Sequence, residues 1–213
     1  MAAEKKRVFV NVGSGAGSML GRLPFFPEDN WQEMRLDIDP DVEPDVIASI
    51  TDLSPIEDAS VDAVFSSHNL EHIYAHEVPV ALAEFKRILR PGGFIVVTMP
   101  DMQAIAKVLA EDDGYDRDLI RVREHGVLSG RKPLDIIYGW PGDIQAGRHY
   151  MQHKCGFTPR LLDKLLMQTG FEGRVIARGR MFDLWGVGVP EQTERSVLEE
   201  HYRNVLIASG RKS

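Results

Sequence analysis

Along this chain, short continuous apolar runs alternate with longer stretches in which apolar residues recur every three or four positions. The first run, Arg7-Val8-Phe9-Val10-Asn11-Val12, is rich in β-branched residues and stops at Gly13, which predicts a buried strand. Ser14 to Gly17 form a tight turn, and Ser18 to Phe26 leave room for only a short helix before Pro27. Strands are expected at about Glu33 to Asp39, Val46 to Ile50 and Val61 to Ser67. The link between the first two, with Pro40 and Pro44, is too short for a crossover helix. The clearest helix opens near Pro79, carries Val78, Leu82, Phe85 and Leu89 on one face, and is expected to end at Pro91-Gly92-Gly93. Phe94 to Thr98 reads as another strand. Asp101 then suits the N-cap of a helix over 102–110 that turns Ile105, Val108 and Leu109 to the core.

Residues 112 to 155 break this rhythm. They mix charges with Gly and Pro and carry Tyr115, Tyr138, Trp140, His149, Tyr150 and His153. So long a stretch without periodicity is functional or disordered, and its aromatic content argues against disorder. It is expected to be a lid or substrate wall within a single domain spanning 1–213. Regularity returns with Thr158-Pro159 as a helix start, Leu161, Leu162, Leu165 and Leu166 as an apolar face, and Gly170 as a stop. Strands at about Arg174 to Ala177 and Phe182 to Val189 follow. Ser196 and Glu199 suggest a capping box for an amphipathic C-terminal helix, about 194–208, through Val205 and Leu206. Strands alternating with helices argue for an α/β sheet with helices on both faces and a ligand crevice at the carboxyl ends of the strands.

Composition narrows the function classes. The 213 residues are 43% hydrophobic and 27% charged, as in a soluble globular chain. No stretch approaches the roughly 20 apolar residues of a membrane span, and no signal-peptide pattern follows the N-terminal charges, so a cytoplasmic location without membrane contact is expected. Twenty-five basic against thirty-two acidic residues, net −7, argue against nucleic acid as a partner. The one cysteine, Cys155, excludes a disulfide framework and a four-cysteine metal cluster; as a lone thiol it is more often a small packed residue than a reactive one.

The polar residues at the expected strand ends carry the chemistry. Asn11-Val-Gly-Ser-Gly-Ala-Gly17 has Ser18 where a dinucleotide fingerprint needs glycine, which favours a ligand lying against bare backbone over a pyrophosphate. Asp37, twenty-four residues after Gly13, is placed to accept hydrogen bonds from the ribose hydroxyls of an adenosine, with Asp39 on the same face if the strand continues.

Six segments occur in order: the glycine turn, Leu36-Asp37-Ile38-Asp39-Pro40, Asp52-Leu53-Ser54-Pro55, Ser60-Val61-Asp62-Ala63-Val64, His68-Asn69-Leu70-Glu71-His72-Ile73 and Leu89-Arg90-Pro91-Gly92-Gly93. As a series, over about residues 7 to 100, they resemble the class I S-adenosylmethionine-dependent methyltransferases of the small "type 11" branch. The resemblance implies a Rossmann-like, seven-stranded, mostly parallel sheet with its last strand antiparallel. It implies S-adenosylmethionine as cofactor, with the methionine part against Gly13, Ser14, Gly15 and Gly17, the ribose on Asp37 beside Ile38, and the adenine beside Asp52 and Leu53. Asn11, Ser67 and His68 complete that cofactor set. Asn11 and Ser49 stand where the family commonly has acids, which motivates the alternative of a nucleoside-binding protein without turnover.

His68 directly follows the fourth strand and is the first candidate catalytic residue, with His153 as a second. The same segment fits the inverted zinc-protease pattern H-x-x-E-H, but that motif belongs inside an established helix and this one sits at a strand-to-helix junction, so no metal is expected. The fourth-strand exit lacks Asn-Pro-Pro-aromatic, the mark of family members that methylate planar nitrogens. The expected acceptor is therefore a small molecule or sugar, methylated by in-line displacement. The oligomeric state is not encoded in any motif.

Overall fold

The computed structural model describes residues 5–124, 127–192 and 195–202. Its main sheet comprises β1 (Arg7–Val12), β2 (Trp31–Asp37), β3 (Val46–Ile47), β4 (Val61–Ser67) and β5 (Leu89–Pro100), joined by β8 (Gly173–Arg178) and β9 (Asp183–Val189). A separate hairpin pairs β6 (Ile120–Glu124) with β7 (Val127–Arg131). The helices are α1 (Val78–Ile88), α2 (Met102–Leu109), α3 (Pro133–Tyr138), α4 (Pro141–Gln145), α5 (Pro159–Gln168) and α6 (Arg195–His201). Strand order is β3-β2-β1-β4-β5-β9-β8. The first five strands are parallel, and β9, last in the chain, runs antiparallel between β5 and β8. This is the expected doubly wound α/β sheet. The strand order reverses between β1 and β4, so a ligand crevice belongs at their carboxyl ends.

Alternation along the buried strands sends neighbours to opposite faces. On one face Val10, Val64, Ile95 and Val97 pack with Leu82 and Phe85 of α1 and Leu162 and Leu166 of α5. On the other, Phe9, Phe65, Phe94 and Val96 meet Phe26, Trp31, Leu198 of α6 and Tyr202 just after it. The short helix expected over 18–26 is absent; residues 18 to 30 form turns. Phe26 takes over the covering role of a helix. Its ring stacks on Phe9 with centroids 3.9 Å apart and meets Trp31 edge-on at 4.9 Å.

Several boundaries differ from those read in the sequence. β2 ends at Asp37, because Asp39 caps a single 3-10 turn over Pro40–Val42 and accepts from the Asp41 N–H. β3 is only two residues long. Beside it, the Arg35 N–H of β2 donates to the Asp45 carboxylate at 2.7 Å, where a longer strand would have offered a carbonyl. α1 stops at Ile88, and Pro91-Gly92-Gly93 lies inside β5, where the register against β4 shifts between Val61 and Ala63. Leu161 is exposed on α5 while Leu162 and Leu166 are buried. Ser196 falls inside the first turn of α6, not at its cap, and Val205 and Leu206 lie outside the described residues. The aperiodic stretch contains the β6–β7 hairpin, α3 and α4, with the Arg131 guanidinium 3.6 Å from the Trp140 ring centroid. No helix among the described residues is long and apolar enough to cross a membrane.

The stacking of Phe26 gives a stability prediction. Phe26→Ala should lower unfolding free energy by about 3–5 kcal/mol, the usual cost of emptying a buried aromatic site. Denaturant titration followed by tryptophan fluorescence measures it, Trp31 being in contact with the lost ring.

Candidate functional site

The turn after β1 is built for close backbone approach. Gly13 and Gly15 adopt φ of +68° and +56°, a region that favours glycine. The Leu36 carbonyl accepts from the Gly13 and Ser14 N–H groups at 2.8 and 3.0 Å, folding the turn over the end of β2. There the Asp37 carboxylate accepts from the Gly15 N–H at 2.8 Å and the Asp39 N–H at 3.0 Å. A Cβ on Gly15 would meet nothing within 4 Å, so this residue presents bare backbone to open space. A Cβ on Gly13 would fall 2.5 Å from the Asn69 amide, which packs directly against it.

Two residues that the sequence reading passed over hold this turn. Glu33 accepts from the Asn11 amide at 2.8 Å and the Met19 N–H at 3.0 Å, and it also binds the Ser18 hydroxyl. The Arg35 guanidinium donates to the Gly15 and Val42 carbonyls at 2.8 and 2.6 Å. A signal was present: Glu33, Arg35 and Asp37 alternate along one face of a strand in a parallel sheet, where apolar residues are the rule.

A cavity of about 430 Å³ opens above the turn. Of the expected cofactor residues, Gly13, Gly15, Asp37, Ile38 and His68 line it. Asp52 and Leu53 do not. Leu53 is fully buried with its N–H bound to Glu84, and Asp52 accepts from the Ser54 N–H; Ser49, Ile50 and Thr51 occupy the wall instead. Asn11 is buried against Glu33, Ser14 donates to the Gly15 carbonyl, Gly17 lies beyond the wall, and the Ser67 hydroxyl pairs with that of Thr98. These four support the turn and strand ends without lining the cavity.

His68 ends β4 with φ of 49°, a strained value for a histidine, and its side chain is about half exposed at the cavity wall (49%). Its Nδ1 lies 3.3 Å from Glu71 Oε1, and the Glu71 side chain is 1% exposed. Burial works against a charge on His68, but the Glu71 carboxylate outweighs it and raises the imidazole pKa. Burial likewise opposes the Glu71 charge, and His68, with His72 and His153 beyond it, pulls that pKa down. Residues 70–72 form one 3-10 turn, so His68 and His72 share no helix face and the inverted zinc-protease geometry is absent.

His153 does not line the cavity. It sits behind His72, ring centroids 4.8 Å apart, and its Nδ1 faces the Ile136 carbonyl at 2.7 Å; burial lowers its pKa. Burial pushes the Cys155 thiol up to about 11, with Glu71 adding to the effect, so the thiol stays neutral. The insertion forms the far wall through Asp143, Arg148, Tyr150, Met151 and Lys154. Tyr150 donates to Asp39 at 2.7 Å, and Arg148 pairs with Asp143. Burial, then that bond, pushes the Tyr150 phenol up to about 12, while the same bond holds Asp39 below the usual carboxylate range.

Residues 10–97, from β1 into β5, match the family model described as a methyltransferase domain. No curated protein matches the chain. Among solved structures, a putative methyltransferase of Haloferax volcanii, in complex with the Trm112 methyltransferase activator, is 16% identical with a TM-score of 0.55, over 89% of this chain and 85% of that one. A Pyrococcus horikoshii protein is 13% identical with a TM-score of 0.56, over 88% and 83%. The 1,6-didemethyltoxoflavin-N1-methyltransferase of Burkholderia thailandensis, solved with 1,6-didemethyltoxoflavin and S-adenosylhomocysteine, is 16% identical with a TM-score of 0.52, over 86% and 71%. At these identities the likeness is one of fold.

The His68–Glu71 pair sets a pH window. In ligand-free protein, the His68 resonances should titrate above 6.5, and Glu71→Gln should bring the midpoint down; a midpoint unmoved by the substitution would remove the coupling. The raised His68 pKa contributes stability that is complete below the unfolded-state pKa and fades as pH rises through the folded one. The lowered Glu71 pKa contributes stability that is complete above its unfolded-state value and is lost as pH falls through the folded one.

Proposed function

We propose that this chain is a class I S-adenosylmethionine-dependent methyltransferase, a reading its fold and the family match over residues 10–97 support, and that it methylates a hydroxyl group of a small-molecule or sugar-like acceptor. One observation carries the reading. A single cavity joins the bare backbone of Gly15, the Asp37 carboxylate and the His68 imidazole beneath the 141–154 segment. Its volume, about 430 Å³, lies in the range of small-ligand sites and favours an acceptor of modest size.

The residues present suit the cofactor. Each Asp37 oxygen already takes one backbone N–H and keeps a further lone pair for a ribose hydroxyl. Ile38 and Ile50 offer apolar surface for a flat base, and the open space at Gly15 leaves room for the amino-acid end. The bound cofactor supplies an electrophilic methyl carbon on a sulfonium whose departure leaves a neutral thioether. The protein's contribution is then mainly alignment, worth on the order of 7–11 kcal/mol of barrier. His68 presents Nδ1 to Glu71 and keeps Nε2 for the acceptor. It takes the hydroxyl proton as the new oxygen–carbon bond forms, a role worth about 10²–10⁴-fold. The Burkholderia N1-methyltransferase, solved with S-adenosylhomocysteine and 1,6-didemethyltoxoflavin, supports the cofactor and a small acceptor, and does not bear on the hydroxyl. The insertion, roofing the cavity through Tyr150 and Asp39, acts as the lid that selects the acceptor.

Calorimetric titration with S-adenosylhomocysteine tests the cofactor half. Asp37→Ala and Gly15→Val should each weaken binding at least about tenfold, the loss of one charge-assisted contact being about 1.5–3 kcal/mol; unchanged affinity for both would place the cofactor elsewhere. For the acceptor half, transfer of labelled methyl to a small-molecule extract should fall about 10²-fold or more in His68→Ala, with S-adenosylhomocysteine affinity little changed. Equal loss of both would make His68 a cofactor contact only.

A further inference from the structure

We infer that Glu71, His72 and His153 form a binding site for a divalent transition-metal cation on the wall of the cofactor cavity. Their candidate ligand atoms lie within 4.8 Å of one another. Zinc-like cations bind two imidazoles and a carboxylate at about 2.0–2.2 Å, so modest side-chain rotation gathers these three around one ion.

Three features of the cluster suit a cation. First, Glu71 is 1% exposed, and its Oε2 has no hydrogen-bond partner. His68 Nδ1 lies 3.3 Å from Oε1, which leaves Oε2 bare in a site where an unpaired carboxylate oxygen is costly. Second, both ligand histidines are oriented from behind. His72 Nδ1 faces the Gln152 carbonyl at 3.2 Å and His153 Nδ1 the Ile136 carbonyl at 2.7 Å. A carbonyl only accepts, so the proton sits on Nδ1 and the lone pair is left on Nε2, the arrangement that outer partners impose on metal-binding histidines. Third, the backbone clamps the two segments together. The Lys154 N–H donates to the Glu71 carbonyl at 2.7 Å and the His153 N–H to the Tyr138 carbonyl at 3.1 Å. Gly139 permits that approach: φ is +95°, and a Cβ there would lie 2.4 Å from the Met151 carbonyl.

Three protein ligands leave a coordination position open, as in sites that bind a substrate oxygen. His72 lines the cavity as well as the cluster, so the cation would touch a molecule bound there. That it meets the acceptor rests on the methyltransferase reading; the metal site itself does not.

The test uses the full-length chain, stripped with chelator and returned to chelator-free buffer. Titration with Zn²⁺ by calorimetry and with Co²⁺ by visible absorption should show one equivalent bound. His153→Ala and His72→Ala should each weaken binding at least tenfold, while His76→Ala, an exposed histidine stacked on Tyr74 outside the cluster, leaves it unchanged. Zn²⁺ should also raise the unfolding temperature of the wild type and not of His153→Ala, a readout that holds where a variant is less stable. Absence of stoichiometric binding, or binding that survives both histidine substitutions, overturns the site. S-adenosylhomocysteine titrated into the same preparations separates the two readings. Its binding without metal uptake overturns the metal site alone, and metal uptake without its binding supports the metal site while overturning the cofactor assignment.

Discussion

A parallel sheet covered on both faces has only its strand ends left for polar chemistry. That constraint organises this molecule. Val10, Val64 and Ile95 face one layer, Phe9, Phe65 and Phe94 the other, and neither layer tolerates a charge without a partner. The chain therefore places its chemistry where β1, β2 and β4 run out: the glycine turn, Asp37 and His68. The reversal of strand order between β1 and β4 opens the gap that these ends surround. Both the cavity and the imidazole–carboxylate cluster lie at these strand ends.

Much of the architecture was legible in the chain. The limits of β4 and the starts of α1, α2 and α5 were marked by continuous apolar runs, prolines in the first turn and capping oxygens such as those of Asp101 and Thr158. What escaped depended on tertiary contact. Phe26 covers a sheet face without belonging to a helix, and its burial comes from Phe9 and Trp31, which local periodicity does not encode. The end of β2 was read two residues late because Asp39 continues the alternation, whereas its carboxylate is used to cap the following turn.

The site was half legible for the same reason. Gly13, Gly15, Asp37 and His68, expected from residue type and from position after a strand, line the cavity. Asp52 and Leu53 carry a motif, yet the loop turns Asp52 out to solvent and Leu53 into the core, leaving Ser49 to Thr51 on the wall. Tyr150, Arg148 and Met151 come from a stretch whose spacing says nothing about where it lands. The backbone latch between residues 71 and 154, the His72–Gln152 contact and the Tyr150–Asp39 bond bring it over the cavity. The histidine-rich segment after β4, read as a strand-to-helix junction, is a strand end followed by a single tight turn. Its third partner arrives from more than eighty residues away, since His72 reaches Gln152 across a sequence separation of 80.

The brevity of β3 has a consequence of its own. An open sheet margin ordinarily offers unpaired amides on which stray chains can extend the ladder and grow into aggregates. Here the margin is two residues long, the Arg35 amide next to it is already taken by the Asp45 carboxylate, and prolines at 40 and 44 flank the approach. An incoming segment finds few free donors and a negative charge at the point of entry. The edge of the sheet beside the cavity is thereby a poor template for strand addition.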